Sequence, residues 1–387
     1  MKINYDVLIL GAGAGGLMCA AQLTEKTSLK IAIIEGNTKP ALKLKASGGG
    51  KCNLTNVEVD ASHFLGNESL VSNALSTFSK EALLEYFHNG GLRPVIRKER
   101  YYFCQKSSDE VISILVGRAR GCEMLLGHKI LSVEGRNPFV VITDKGKFMA
   151  STIVVATGGA SYKELGASDI GLKIAQDYGH KIVPFAPALV GLTLQPKEFW
   201  MKELSGISFP SRIRVGEKVL DEDLLFAHKG ISGPVVLSTS LYWHKGEISI
   251  DFCPDLELEK LFKEKKLLST ALPLPKRFIK AFLEAIALED KPCNRLSPEE
   301  REKLSKIQNY TMAASGTFGL TKAEVCRGGI AASEINPLTM ESCMVKGLYF
   351  IGETVDVTGE LGGYNFQWAF SSAVVCSSGI AKNSLKY

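Results

Sequence analysis

YDVLILGAGAGGLMCAAQLTEKTSLKIAIIE, residues 5–35, decides the fold of this 387-residue chain. Its first six residues, Tyr5–Leu10, are an apolar run of the length of a strand buried on both faces. The run ends in Gly11-Ala12-Gly13-Ala14-Gly15-Gly16, a G-x-G-x-x-G spacing with Gly11, Gly13 and Gly16 in the three defined places. A helix-forming stretch follows over 17–25, then a second apolar strand over 31–34, closed by Glu35. In that order each part serves a dinucleotide. Gly11 admits the tight turn, Gly13 lets the backbone approach a pyrophosphate, and Gly16 lets helix and strand pack closely. The helix N-terminus, with Ala14 and Gly15, offers N–H groups and a positive dipole end to phosphates. Glu35, followed by Gly36, can accept hydrogen bonds from a ribose hydroxyl. The alternative is a glycine turn used only for packing. The strand–helix–strand context favours dinucleotide binding.

Hydrophobic residues make up 45% of the chain and charged residues 22%, as in a globular protein with a sizeable core. A net charge of +5 is too mild to imply a nucleic-acid partner and does not exclude one. Nine cysteines include no C-x-x-C pair, which removes a zinc ribbon and a C-x-x-C redox centre, and no metal is expected. An odd count without a recognisable leader suits a reducing cytoplasm. No apolar stretch approaches the ~20 residues of a membrane helix, so no membrane partner is expected.

Beyond Glu35, the run Ser47-Gly48-Gly49-Gly50-Lys51-Cys52-Asn53-Leu54-Thr55-Asn56 contains three consecutive glycines. It reads as irregular backbone, either able to lie against a ligand and aim N–H groups at it or simply a surface loop. Helices are expected over 73–90 and 108–120, a strand over 122–130 and a hairpin around Asp144-Lys145-Gly146. A buried strand over 153–156 ends in Ala156-Thr157-Gly158, where open α/β sheets bind ligands. From Pro184 onward short strand-like pieces separated by prolines replace this pattern, 235–240 among them, followed by three helix candidates between 256 and 307. One more buried strand, 348–351, precedes Gly352-Glu353-Thr354-Val355-Asp356, then Gly362-Gly363-Tyr364-Asn365 and a last helix reaching about residue 382. The resulting division is a discontinuous Rossmann-like domain, 1–183 and 323–387, with an insert over 184–322. The insert is β-rich over 184–255 and 308–322 and helical over 256–307.

The SGGGKCNLTN run resembles the SGGGRCNxTN motif of the HI0933-like flavoproteins, a bacterial family also labelled BaiN/RdsA-type oxidoreductases. Lys51 stands where the family usually has Arg, replacing a planar fork with a point charge. The resemblance continues through Ala156–Tyr162, Gly179-His180, Pro187-Ala188-Leu189, His228–Pro234, Gly328-Gly329, Thr339–Ser342 and Gly347–Asn365, covering nearly the whole chain in order. It implies an α/β, two-dinucleotide-binding-type FAD domain with the β-rich and helical insert. FAD would lie with its adenosine near Glu35 and Gly36 and its pyrophosphate at 13–16. The ribityl chain and ring would lie near Lys43, Ser47, Gly48, Gly49, Lys51, Cys52 and Asn53, and near Asp356, Gly363, Tyr364 and Asn365. Ile130, Ala156, Thr157, Gly158, Gly352 and Glu353 complete the implied contacts. The implied activity is an oxidoreductase using NAD(P)H to reduce an activated C=C bond. Its substrate would be a uridine in ribosomal RNA, giving dihydrouridine, or an enone such as a 3-oxo-Δ4 bile acid. Cys52, Tyr364 and His228 are the candidates for the general acid. Two other readings use the same cofactor fold: an oxidase of an amine or hydroxy acid, and an RNA-binding accessory protein that carries FAD. Oligomeric state is not legible.

Overall fold

Tyr5–Leu10 lies at the heart of a seven-stranded sheet in the computed structural model, which describes residues 4–384. It pairs in parallel with Ile31–Glu35 on one side, Val7 opposite Ile31. On the other it pairs in parallel with Gly146–Val155, Leu10 opposite Val155. Glu123–Leu126 extends the sheet beyond Ile31–Glu35. The long strand Gly146–Val155 changes partner along its length. Its first half forms the antiparallel hairpin with Phe139–Thr143, and its end pairs in parallel with Leu348–Phe350. Four strand ends therefore meet at one edge: Leu10, Glu35, Val155 and Phe350. Ile31–Ile34 and Val7–Leu10 are almost fully buried, as strands covered on both faces must be.

The helix Ala14–Lys26 packs on the sheet and against the C-terminal helix Tyr364–Ser384. Small residues allow this: a Cβ on Gly15 would lie 3.3 Å from the Ala369 carbonyl oxygen. Cys19 and Ala20 of the first helix and Ala373 and Cys376 of the last are completely buried.

The chain forms two compact units, residues up to 186 with 325 onward, and 187–324. The strands at the passage, Ile182–Ala188 and Val325–Ile330, pair with each other. The second unit is a closed, antiparallel six-stranded barrel. Its core is aromatic: Phe209 and Phe226 from the strands and Phe252, just past the strand Glu247–Asp251, meet Phe278 and Phe282 from the helix Lys276–Ala285.

Four local expectations are corrected. The glycine run is not wholly irregular. Leu42–Gly50 is a helix whose last turn, Ser47–Gly49, leaves helical geometry, and Asn53–Asn56 is a strand on Tyr101–Phe103. The helix over 73–90 is two, Glu68–Thr77 and Lys80–Asn89, because Ser79 caps a new start by accepting from the Ala82 N–H. The strand over 122–130 is Glu123–Leu126 and Ile130–Gly135, broken by a turn at Gly127 with φ 69°. Residues 235–240 are helical, within Pro234–Tyr242. Gly233 with φ 87° and Pro234 in the first turn start that helix despite the β-branched residues.

Candidate cofactor site

The turn after Tyr5–Leu10 is built around Gly11. Its φ of 106° is left-handed, and a Cβ there would lie 2.5 Å from the Ala156 carbonyl oxygen on the neighbouring strand end. Gly16 cannot be replaced either, since its Cβ would overlap the Gly11 carbonyl oxygen. Gly13 is different. Its φ is ordinary, and nothing lies within 4 Å of where its Cβ would be. Gly13 stands at the mouth of a 13-residue helix whose first intrahelical bond is from the Leu17 N–H to the Gly13 carbonyl, so the N–H groups of Ala14, Gly15 and Gly16 have no acceptor within the helix. That combination is what a pyrophosphate requires.

Glu35 braces this turn. One carboxylate oxygen accepts from the Ala12 N–H at 2.8 Å, and the other from the Asn37 backbone and side chain at 2.8 and 2.9 Å. Gly36 beside it is exposed. The chain returns over the Glu35 carbonyl, which accepts from the His128 N–H at 2.9 Å, so Ile130 starts its strand two residues from this corner.

At the neighbouring strand end, Ala156-Thr157-Gly158 faces Gly352-Glu353. Lys43 donates to Glu353 at 2.6 Å and to Ser161 at 2.8 Å, while the other Glu353 oxygen accepts from the Cys326 N–H at 2.7 Å. Lys43 and Glu353 thus meet each other at this edge. Gly352 is locked to the C-terminal helix, donating to Ser372 at 3.0 Å and accepting from the Trp368 indole at 2.9 Å. Thr157 Oγ1 and Thr354 Oγ1 are buried without hydrogen-bond partners.

The glycine run makes a left-handed turn. Gly48 and Gly49 have φ of 56° and 64°, and Gly49 and Gly50 have no neighbour where a Cβ would be. Ser47 folds back onto the Leu44 carbonyl at 2.7 Å. Lys51 and Cys52 turn the chain into Asn53–Asn56, whose last two side chains do structural work that the sequence reading missed. Thr55 donates to Gln367 at 2.7 Å and Asn56 to the Gly362 carbonyl at 3.1 Å. Gly363 lies so close to this strand that a Cβ would stand 2.6 Å from Thr55 Cα. Asn365 closes the same loop on itself, accepting from the Gly359 N–H at 2.9 Å and donating to the Gly359 carbonyl at 2.8 Å. The glycine turn and residues 359–365 are therefore one assembly.

Within it, Asp356 is a partly buried carboxyl. Loss of solvent pushes its pKa up, against the Gly328 N–H, which pulls it down. Such a group takes a hydroxyl donor readily. Tyr364 opens the C-terminal helix. Its hydroxyl is buried with no partner at hydrogen-bond geometry, and burial raises its pKa, against the nearby Arg100 guanidinium, which pulls it down. Its ring stacks on His63 at 4.7 Å between centroids, and His63 Nδ1 lies 3.3 Å from Asp60 Oδ1. His63 and Asp60 have no motif around them and were not singled out from the sequence.

The other two acid candidates sit differently. Cys52 is fully buried, and its thiol is turned inward onto Cys104, a contact that together with desolvation raises its pKa well above the ordinary value. His228 lies on an exposed turn of the barrel, in the second unit.

The open cradle over Gly13, the orphaned hydroxyls at the strand ends and the half-buried Asp356 fit a long cofactor of diphosphate and polyol chemistry. The family model described as "HI0933-like protein Rossmann domain" matches residues 5–379. The chain belongs to the HI0933-like family. It is 35% identical over 399 residues to the Escherichia coli protein named ribosomal RNA dihydrouridine synthase, covering 98% of this chain and all of that one. It is 30% identical over 410 residues to the Clostridium scindens 3-dehydro-bile acid delta(4,6)-reductase, covering 97% and 98%. Among solved structures, Mycobacterium smegmatis Sdh1 in complex with UQ1 superposes with a TM-score of 0.51 at 14% identity, over 99% of this chain and 69% of that one. Family and fold together make the protein a flavoprotein oxidoreductase with a Rossmann-like FAD-binding fold and a β-barrel insert. Among the described residues no helix is long and apolar enough to cross a membrane.

Proposed function

We propose that this chain is an FAD-dependent reductase that takes electrons from NAD(P)H and saturates the C5=C6 bond of a uridine in ribosomal RNA, giving dihydrouridine. The observation that carries the reading is the end-to-end match with the E. coli ribosomal RNA dihydrouridine synthase, over 98% of this chain and all of that one. The lower identity to the bile-acid reductase keeps an enone as the second substrate class.

Bound FAD supplies two-electron redox chemistry. The chain supplies the rest. Gly13 and the first turn of the following helix hold the pyrophosphate, Glu35 and Gly36 the adenosine end, and Asp356 a ribityl hydroxyl. The 47–53 turn and residues 363–365 would hold the cofactor's ring end, and Ile130, Ala156–Gly158 and Gly352 would contact it between.

Saturating the bond also needs a proton at carbon. We assign it to the Tyr364 hydroxyl, which burial keeps protonated and whose ring is held by stacking on His63. The inward-turned Cys52 thiol is the weaker choice.

Anaerobic stopped-flow at the flavin absorbance band tests the reading. NADH or NADPH should bleach the flavin, and a uridine-containing ribosomal RNA fragment should restore it. Restoration by an enone and not by RNA moves the substrate to the second class. Reduction by an amine or hydroxy acid alone replaces the reductase with an oxidase, and RNA binding without any flavin turnover makes it an accessory protein.

A further inference from the structure

The chain's positive charge is not spread evenly. It carries a net +5, and residues 93–106 alone hold five basic side chains against one acidic. This segment is a β-ribbon, Val95–Arg97 paired with Tyr101–Phe103 through the three-residue turn Lys98-Glu99-Arg100. Lys98 and Glu99 occupy that turn with φ of 49° and 55°, a primed turn that keeps the ribbon's twist. Arg93, Arg97, Lys98, Arg100 and Lys106 are all exposed. The ribbon is fastened to the glycine turn at three points. Tyr101–Phe103 continues the sheet from Asn53–Asn56, the Cys104 N–H donates to the Lys51 carbonyl at 2.9 Å, and the Ser108 N–H donates to the Gly50 carbonyl at 2.8 Å. A direct line of contact leads from charge to turn. The Arg97 guanidinium lies 4.8 Å over the Phe103 ring, and that ring stands 2.9 Å from where a Gly48 Cβ would be.

We propose that this ribbon is an RNA-docking surface whose Arg97, Lys98 and Lys106 grip backbone phosphates beside the glycine turn, and so present one base to the site. The inference rests on the RNA reading of the function. Phosphate is the complement of a dense, exposed, mostly basic cluster, and such contacts fix register without reading sequence. A small apolar substrate would have no use for it.

The test is the holoenzyme with the triple change Arg97→Gln, Lys98→Gln and Lys106→Gln. Binding of a ribosomal RNA fragment is measured against salt concentration, alongside NAD(P)H reduction of the flavin. Single-stranded contacts contribute a slope of roughly 0.7 each in log affinity against log salt, so the slope should fall by about two and affinity by about 10- to 100-fold. Flavin reduction by NAD(P)H and the melting temperature should stay as in the parent. Equal affinity and slope in parent and variant overturn the docking surface while leaving RNA reduction by the parent intact. A variant that loses affinity for anionic vesicles and not for RNA also overturns it. A parent that neither binds nor reduces RNA overturns both the surface and the function on which it rests.

Discussion

Lys43 and Glu353, 310 positions apart, meet at 2.6 Å where two strand ends of the parallel sheet come together. The pair joins the helix that precedes the glycine turn to the loop that precedes Asp356. Glu353 has a second task, accepting from the Cys326 N–H. Its side chain is 18% exposed, so breaking the pair strands groups that are largely out of water.

Glu353→Ala should therefore cost about 1–3 kcal/mol, leaving Lys43 and the Cys326 N–H without their acceptor. Glu353→Gln keeps an acceptor and loses only the charge assistance, and should cost about half as much. Denaturant unfolding followed by flavin fluorescence checks both. Equal loss in the two variants would mean the charge, and not the accepting oxygen, is what matters.

The glycine motif makes a sharper separation. Gly13 has room for a methyl and an ordinary φ, so Gly13→Ala should leave the apoprotein's melting temperature within about 2 °C of the parent while FAD occupancy collapses. Gly16→Ala drives a Cβ into the Gly11 carbonyl and should lower the stability of the apoprotein itself by several kcal/mol, on the order of other overpacked sites. Calorimetry of cofactor-stripped protein, with titration of added FAD, distinguishes a lost ligand contact from a lost fold.

That contrast also shows why part of the site was readable and part was not. The strand, turn, helix, strand and acid of residues 5–35 are local, and their order in the sequence is their order in space. The ends of Gly146–Val155 and Leu348–Phe350 were readable for the same reason, as apolar runs that stop at glycines. The glycine run was harder. Local composition indicates irregular backbone, and Ser47, Gly48 and Gly49 do leave helical geometry, but the strand Asn53–Asn56 that follows forms only through its pairing with Tyr101–Phe103. Nothing local reveals that Thr55 and Asn56 exist to hold Gln367 and Gly362, partners some 300 positions away. His63 and Asp60 lie outside every motif and enter only because Phe64–Leu65 pairs with Thr358–Gly359 and brings them to Tyr364. At 235–240 a local start signal, Gly233 followed by Pro234, outweighs β-branched propensity.

Asp356 makes the apoprotein's stability depend on pH. Burial raises its folded-state pKa, so the stability it contributes is fully present below the unfolded value, near ~4, and is lost as pH rises through the folded value. Asp356→Asn removes that loss. The variant should match the parent at pH ~4 and exceed it in melting temperature at neutral pH when both are stripped of cofactor. With FAD present the order should reverse, since the amide is the poorer acceptor for a hydroxyl. A parent that is already the more stable apoprotein at neutral pH would show that Asp356 is well partnered without a ligand.

The proton donor can be separated from its neighbours by splitting the catalytic cycle. Tyr364→Phe removes one oxygen that has no partner at hydrogen-bond geometry, so folding should be unharmed and the stacking on His63 retained. Flavin reduction by NAD(P)H should proceed at the parent's rate, while reoxidation by the RNA fragment or an enone should slow by about 10²–10⁴-fold, the usual contribution of a positioned acid. Cys52→Ala should do the opposite. It empties a fully buried site and leaves Cys104 without its partner, so stability falls, by about 1–2 kcal/mol for a small cavity, but reoxidation keeps its rate as long as FAD is retained. If instead Cys52→Ala abolishes reoxidation and Tyr364→Phe does not, the thiol must swing out from Cys104 during turnover and the acid assignment passes to it. Changing His63 to Gln then serves as the second arm. It should slow reoxidation without touching NAD(P)H reduction, because it removes the ring stacked on Tyr364.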